Sequence, residues 1–228
     1  MNWWGIVVSF AFVFAVIGIA QLLLKAKVTN ATVTRKIVHV GVSHWWFLAM
    51  YFFDRWQYAI VGPIAFILIN LGSYLFRLFP AMEHEQRTKN LGTVYFPIAL
   101  LSLVLLGWAG PMPIWVAGMG ILVMGYGDGF ASLFGERYAR RTFRIYGGTK
   151  SYLGTIVMFV TSVIAVAIFC LLFGEGSIVA GPNAAGWIIV AALATGLVAT
   201  AVEVFTPLGI DNLTVPILTS LFFYTVFV

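Results

Sequence analysis

Eight acidic side chains serve 228 residues, and one of them, Asp128, stands between two glycines near the end of an apolar run, in GYGDGFASLFGERYARR. Five cations follow within a few turns: Arg137, Arg140, Arg141, Arg144 and Lys150. A carboxylate inside a membrane helix costs about 2.5–3.5 kcal/mol even on the lenient insertion scale, so it needs a cation, a metal ion or a protected aqueous cavity beside it. Gly127 and Gly129 remove side-chain bulk, which lets a backbone or a ligand oxygen come close to the acid. Glu203 and Asp211, each near the end of a later apolar run, repeat the argument less strongly. Three acids with no cysteine partner form an oxygen-only donor set, suited to Mg²⁺ or another hard divalent cation that takes one or two carboxylates and completes its shell with water and phosphate. Arginines and lysines beside such a site suit a nucleoside triphosphate, whose charge must be neutralised as a phosphoryl group moves.

Three further stretches add polar groups. In TRKIVHVGVSHWW, Arg35, His39 and the Val42–Ser43 pair share one helical face, with Lys36 adjacent. His39 is the side chain whose ordinary pKa suits a general base at neutral pH. In EHEQRTKNLGTVYFP, Arg87, Lys89 and Asn90 precede a new apolar segment, and in EVFTPLGIDNLTVP, Asp211 and Asn212 occupy a turn. GGTKSYLGT is not a Walker A motif, because Thr149 rather than glycine precedes Lys150. A Gly-Gly turn, then Lys150, Ser151 and a helix start, is still an anion cradle, since helix N-termini present free N–H groups.

The elements that must hold these residues are membrane helices. Mean hydropathy is +0.99, and 61% of residues are hydrophobic, 16% aromatic and only 9% charged, far from the ~45–50% apolar content of soluble domains. The expected fold is all-α, a single polytopic transmembrane bundle over residues 1–228. Eight stretches approach the roughly 20 apolar residues a crossing needs. They run from Trp3 to Leu24, Ile37 to Phe53, Trp56 to Leu78, Leu91 to Trp108, Pro113 to Phe134, Tyr152 to Phe173, Ala184 to Phe205 and Leu213 to Val228. The last is short, so the expectation is seven or eight helices. The first is too long for a typical signal segment and reads as an uncleaved anchor. Tryptophans 3, 4, 45, 46, 56, 108 and 115 lie mostly near segment ends, as an interfacial belt requires. With eight crossings, twelve of the thirteen lysines and arginines fall on one side and only Arg55 on the other, so that side faces the cytoplasm and both termini face out. This places the protein in the cell (inner) membrane with its chemistry on the cytoplasmic face. The basic pI of about 9.5 follows from topology and contact with membrane lipids, and implies no nucleic-acid partner.

Other polar residues have structural readings. Lys25, Lys27 and Arg77 snorkel at helix ends; His44 and His84 pack or face the surface; Asn70 and Ser73 are interhelical glue. Cys170, the lone cysteine, is an apolar filler that excludes both an intramolecular disulfide and a cysteine metal site. The Gly125 and Gly129 pair and the row Ala192, Gly196, Thr200 permit close helix packing.

RKIVH at the start of the second helix, GDGFASLFGERYARR with GTKSYLGT after the fifth, and Glu203 followed by Asp211, Asn212 and Pro216 together resemble the polyprenol, phytol and dolichol kinase family of CTP-dependent lipid kinases, over about residues 35 to 217. The small size is most similar to the phytol kinase-like bacterial members. The resemblance implies transfer of the γ-phosphate of CTP, with a divalent cation, to an isoprenoid alcohol or related lipid. It maps the nucleotide region onto Asp128, Ala131, Gly135, Lys150, Ser151 and Gly154, with Arg35, Lys36, His39, Asn90, Glu203, Asp211 and Asn212 as the remaining polar positions. On this reading Asp128, Glu203 and Asp211 hold the metal; Lys150, Arg35, Lys36, Arg137 and Arg140 bind phosphate; and Asn90 and Asn212 read base or ribose. Two alternatives use the same residues: a lipid cytidylyltransferase, and an ion- or proton-coupled transporter.

Overall fold

The computed structural model describes residues 1–76, 91–146, 148–174, 183–207 and 209–228. Its helices are α1 (Asn2–Lys25), α2 (Ala31–Ser43), α3 (Trp45–Phe52), α4 (Trp56–Ala59), α5 (Val61–Phe76), α6 (Gly92–Trp108), α7 (Ile114–Tyr138), α8 (Tyr152–Phe173), α9 (Ala184–Phe205) and α10 (Asp211–Phe227), with strands β1 (Thr142–Ile145) and β2 (Gly148–Ser151) between α7 and α8. The protein is therefore a predominantly helical integral membrane protein. Among the described residues five helical segments are long and apolar enough to cross a bilayer: Asn2–Lys25, Trp56–Phe76 (α4 running on into α5), α7, α8 and α9. Taken singly, α2 (13 residues), α3 (8), α6 (17) and α10 (17) fall short of the roughly 20 residues a crossing needs.

The helix α7 is the axis of the bundle. Every residue from Val116 to Gly125 is buried, which a helix surrounded on all sides requires and which no amphipathic stripe could deliver. Small residues make the enclosure possible. A Cβ at Gly118 would strike the indole of Trp46, one at Gly120 the backbone carbonyl of Pro216, one at Gly125 the hydroxyl of Ser43, and one at Gly127 the sulfur of Met158. The α7 backbone thus lies against α3, α10, α2 and α8 at successive turns. The Gly196 position does the same for α9, meeting Val163 of α8.

Two local features differ from the expected elements. The helix expected from Ile37 to Phe53 begins earlier, where the Asn30 side chain caps α2 by accepting the Val33 N–H at 2.9 Å, and it is divided at His44, whose ring bonds the Val40 carbonyl (2.8 Å) and the Tyr126 hydroxyl (2.6 Å). His44 is thus a packing residue. The division carries Trp45 and Trp46 into the core, 3% and 0% exposed, whereas Trp3 and Trp4 are exposed as a belt residue should be. The second difference is a small addition to the all-α bundle. Thr142–Ile145 and Gly148–Ser151 pair as an antiparallel hairpin with Phe143 opposite Lys150 and Ile145 opposite Gly148. Tyr146 takes a left-handed φ of 45° in its turn, the conformation that a two-residue hairpin connection demands.

The Gly120→Ala substitution is expected to destabilise the protein by about 1–3 kcal/mol, because the new methyl meets backbone rather than a movable side chain. Gly72→Ala, where nothing lies within 4 Å, should leave the melting temperature in detergent unchanged; equal melting of the two variants would refute the account of α7.

Candidate functional site

The residues singled out in the sequence meet at the end of the bundle that carries the hairpin. Helix α2 holds Arg35 and Lys36 one turn before His39, and the close approach of α2 to Gly125 and Gly129 brings Lys36 and His39 to Asp128 of α7. The Lys36 ammonium donates to Asp128 Oδ2 at 2.7 Å, with both side chains largely buried. His39 Nε2 stands 3.8 Å from the same oxygen and its ring lies 4.8 Å from that of Phe96. That nitrogen is buried without a hydrogen-bond partner among the described residues.

The hairpin supplies the second cation. Strand β2 turns Lys150 inward, where its ammonium donates to Glu203 Oε1 and lies 3.8 Å from Asp211 Oδ2. Glu203, at the last turn of α9, is buried. Burial alone would pull the Lys150 ammonium down, but the carboxylates of Glu203 and then Asp211 outweigh it and hold the group above its ordinary value. Asp211 stands in the first turn of α10, ahead of the apolar run from Leu213. Asn212 is tied into that turn, its backbone N–H bonding Asp211 Oδ1 (3.0 Å) and its side chain the Gly209 carbonyl (3.3 Å).

Ser151 caps α8 by accepting the Gly154 N–H at 2.9 Å. A Cβ at Gly135 or Gly154 would meet the Ser151 hydroxyl, and at Gly154 also the Ala131 carbonyl, so at Ala131, Gly135 and Gly154 the helix α7 packs tightly on the start of α8. All three also line the cavity that contains the charged residues. Arg137 and Arg140 are not brought there. Both are exposed, and the Arg137 guanidinium lies over the Tyr138 ring, 5.5 Å from its centroid; their neighbours Glu136, Ala139 and Thr142 line the cavity, while these two do not. Asn90 lies outside the described residues, as do Arg77, His84, Arg87 and Lys89.

The cavity measures about 1290 Å³ and has two unlike halves. The charged half contains Arg35, Lys36, His39, Asp128, Lys150, Ser151, Glu203, Asp211 and Asn212. The other half lies between α1, α2, α5 and α6, each offering residues at the spacing of a helix face: Val13, Ile17 and Gln21 from α1; Val38 and Val42 from α2; Phe66, Ile69, Asn70 and Tyr74 from α5; Thr93, Phe96, Pro97 and Leu100 from α6. Asn70 donates to the Thr93 carbonyl at 2.7 Å, tying α5 to α6. Sequence reasoning missed this half, together with Ser132 and Glu136, which bond each other at 2.9 Å on the cavity wall. Gln21 and Asn70, amides in apolar runs, were its visible signals.

Each carboxylate of the expected metal set is held by a lysine, and among the described residues no three His, Cys, Asp or Glu side chains are grouped closely enough to cage an ion by themselves. The donors still fit a magnesium-type ion, which needs one or two carboxylates rather than a full protein cage, since Glu203 and Asp211 both reach the same ammonium.

The chain is 33% identical to the phytol kinase of Synechocystis, over 94% of this chain and 88% of that protein. The chain belongs to the phytol kinase family. It is therefore a phosphotransferase with an alcohol acceptor. Plant members show the same extent of similarity: 28% identity to a probable chloroplastic phytol kinase of Zea mays and 29% to probable phytol kinase 2 of Glycine max, over 94% of this chain and 73% and 72% of theirs. No protein-family model matches the chain, and no solved structure does.

Proposed function

We propose that the protein is a CTP-dependent kinase that transfers the γ-phosphate of the nucleotide, with Mg²⁺ or another divalent cation, to the hydroxyl of an isoprenoid alcohol of the phytol or polyprenol type at the cytoplasmic membrane face. One observation carries the reading: a single cavity joins a cluster of buried acids and lysines to an apolar cleft between helices. A soluble metabolite has no use for the cleft, and a proton or ion path has no use for so wide an apolar half. A greasy alcohol uses both, its chain in the cleft and its hydroxyl at the junction. Its relatives in Synechocystis and Zea mays are a phytol kinase and a probable phytol kinase, which agrees with an isoprenoid acceptor.

The chain's own residues divide the work as follows. Lys36 and Lys150 are the cations already inside the cavity, and with Arg35 they offer charge-assisted donors to phosphate oxygens. A polyphosphate therefore competes with Asp128 and Glu203 for the lysines those acids now hold. Asp128, Glu203 and Asp211 are the residues that would hold the divalent cation, whose chemistry when bound is to neutralise charge on the transferred phosphoryl group. His39 stands at the junction of the two halves, and its unpartnered Nε2 suits the acceptor hydroxyl, whose proton it takes as the oxygen attacks phosphorus. Asn212, fixed in its turn, and Asn90 are assigned to the base or ribose. The helical segments cross the bilayer eight times, the α2–α3 pair and the shorter α6 and α10 included, with both termini extracytoplasmic in the inner membrane; twelve of thirteen basic residues then face the cytoplasm.

The defining test supplies CTP labelled at the γ or the α phosphate together with geranylgeraniol and Mg²⁺. Lipid carrying only the γ label is expected; an α label in the lipid would identify a cytidylyltransferase instead. Asp128→Asn is expected to lower transfer about a hundredfold or more. In the same variant Lys36 is released from its ion pair, so metal-free CTP binding measured by calorimetry should be no weaker than in the native protein. Retention of more than roughly a tenth of the activity would remove Asp128 from the centre.

A further inference from the structure

The apolar half of the cavity is closed at its far end and open at its side. At the far end Phe10 and Phe66 stack with ring centroids 5.8 Å apart, and Leu100 is 4% exposed. Between α1 and α5 the wall is different. Phe14 and Ile69 line the cavity and yet are 56% and 40% exposed. Residues that face a cavity while keeping this much of their surface uncovered stand where the cavity breaks through the side of the bundle. The outer surface next to them is apolar, with Leu68 and Leu75 of α5 exposed, so lipid rather than water meets the opening.

The dimensions limit what the cleft can hold. From Tyr74, level with the charged half, to Phe66 is eight residues of helix, or about 12 Å at 1.5 Å per residue. That depth takes the head-end isoprene units of a long alcohol and not its whole length. Among the described residues the remainder has one apolar exit, the side opening, because the other mouth of the cavity is bordered by exposed polar groups such as Lys25 and Glu136.

We propose that Phe14 and Ile69 are the two lips of a lateral portal and determine which acceptor chains are used. The inference rests on the alcohol-kinase reading above and deepens it. The first isoprene units pack against Phe66 and Leu100, which holds the hydroxyl beside His39, and the rest of the chain passes between α1 and α5 into the bilayer. Chain length beyond the cleft then adds nothing to recognition, and the tail never crosses the charged cluster. Bulk added at a lip obstructs long chains and leaves short ones, which fit inside the cleft, much less affected.

The experiment uses the full-length protein in lipid nanodiscs and compares kcat/KM for geraniol and geranylgeraniol in the native protein, in Phe14→Trp, in Ile69→Trp and in Leu68→Trp, an exposed neighbour that does not line the cavity. The ratio of long over short acceptor is expected to fall roughly tenfold or more at positions 14 and 69 and to stay at its native value at position 68. A geranylgeraniol analogue carrying a diazirine on its distal isoprene unit reports without turnover, and its label is expected on α1 and α5 peptides. An unchanged ratio in both lip variants, or label confined to other helices, overturns the portal while the kinase reading stands. If the native protein phosphorylates neither alcohol, the kinase reading fails first and the portal loses its substrate with it.

Discussion

A charge can remain inside an apolar bundle only beside its opposite, and the hairpin end of this protein is arranged around that constraint. Lys36 with Asp128 and Lys150 with Glu203 are largely buried pairs contributed by four different elements. Such pairs are poor stabilisers, because desolvating two ions costs about as much as their attraction returns, and well-packed apolar residues often do better. Stability gives no reason to keep four charged groups at one end of one cavity. The same constraint explains the composition of α7. Lys36 reaches Asp128 only if α2 lies directly against α7, and Gly125 and Gly129 are what allow it. Lys150 reaches Glu203 only if the hairpin folds back over the end of α8, and the contact of Gly135 with Ser151 is where that return is anchored. The glycines of the motif thus act through packing, and the ion pairs follow from it.

How much of this was legible in the sequence depends on the range of the interaction. Helix positions were legible, because apolar runs and their ends are local; the structure places helices within all eight expected stretches. The polar centre was legible too, since a carboxylate such as Asp128 in an apolar run demands a partner wherever the chain goes. Which partner it has was not. Asp128 and Lys36 are 92 residues apart, and nothing in either neighbourhood says that a lysine rather than a metal ion lies alongside. The hairpin escaped notice because four-residue strands carry too little alternation to read, and its glycine turn serves equally well in a phosphate loop. The division at His44 was hidden for a similar reason: it depends on a hydroxyl, that of Tyr126, from a helix 82 residues further on. Trp45 and Trp46, placed by composition at an interface, are buried because that division turns them inward.

The apolar half of the cavity was the least legible part, and the reason is instructive. In a membrane protein a helix face lined with Val, Ile, Leu and Phe looks the same whether it meets lipid, another helix or a substrate chain, since all three are apolar solvents. Only the meeting of four such faces around an open volume separates the third case, and that is a property of the tertiary structure. Single polar residues are the exceptions that show through: Gln21 and Asn70 both lie on the cleft side of their helices, where an amide is tolerable near a polar mouth and costly against acyl chains.

The two halves need one another on the proposed reading. A phosphoryl group activated in a water-filled site transfers to water, the commonest hydroxyl available, unless the acceptor itself shuts water out. Here the group suited to receive the proton, His39 Nε2, is buried and backed by the Phe96 ring, on the border with the apolar cleft rather than in the open polar mouth. An acceptor whose chain fills the cleft brings its hydroxyl to that nitrogen and displaces the water that would compete, so the binding energy of the chain is spent on choosing the nucleophile. A small alcohol or water has no chain with which to do so. The apolar half is in this sense part of the chemistry: it gives a cluster of acids and lysines, which by itself would favour phosphate transfer to any hydroxyl, a reason to prefer a lipid.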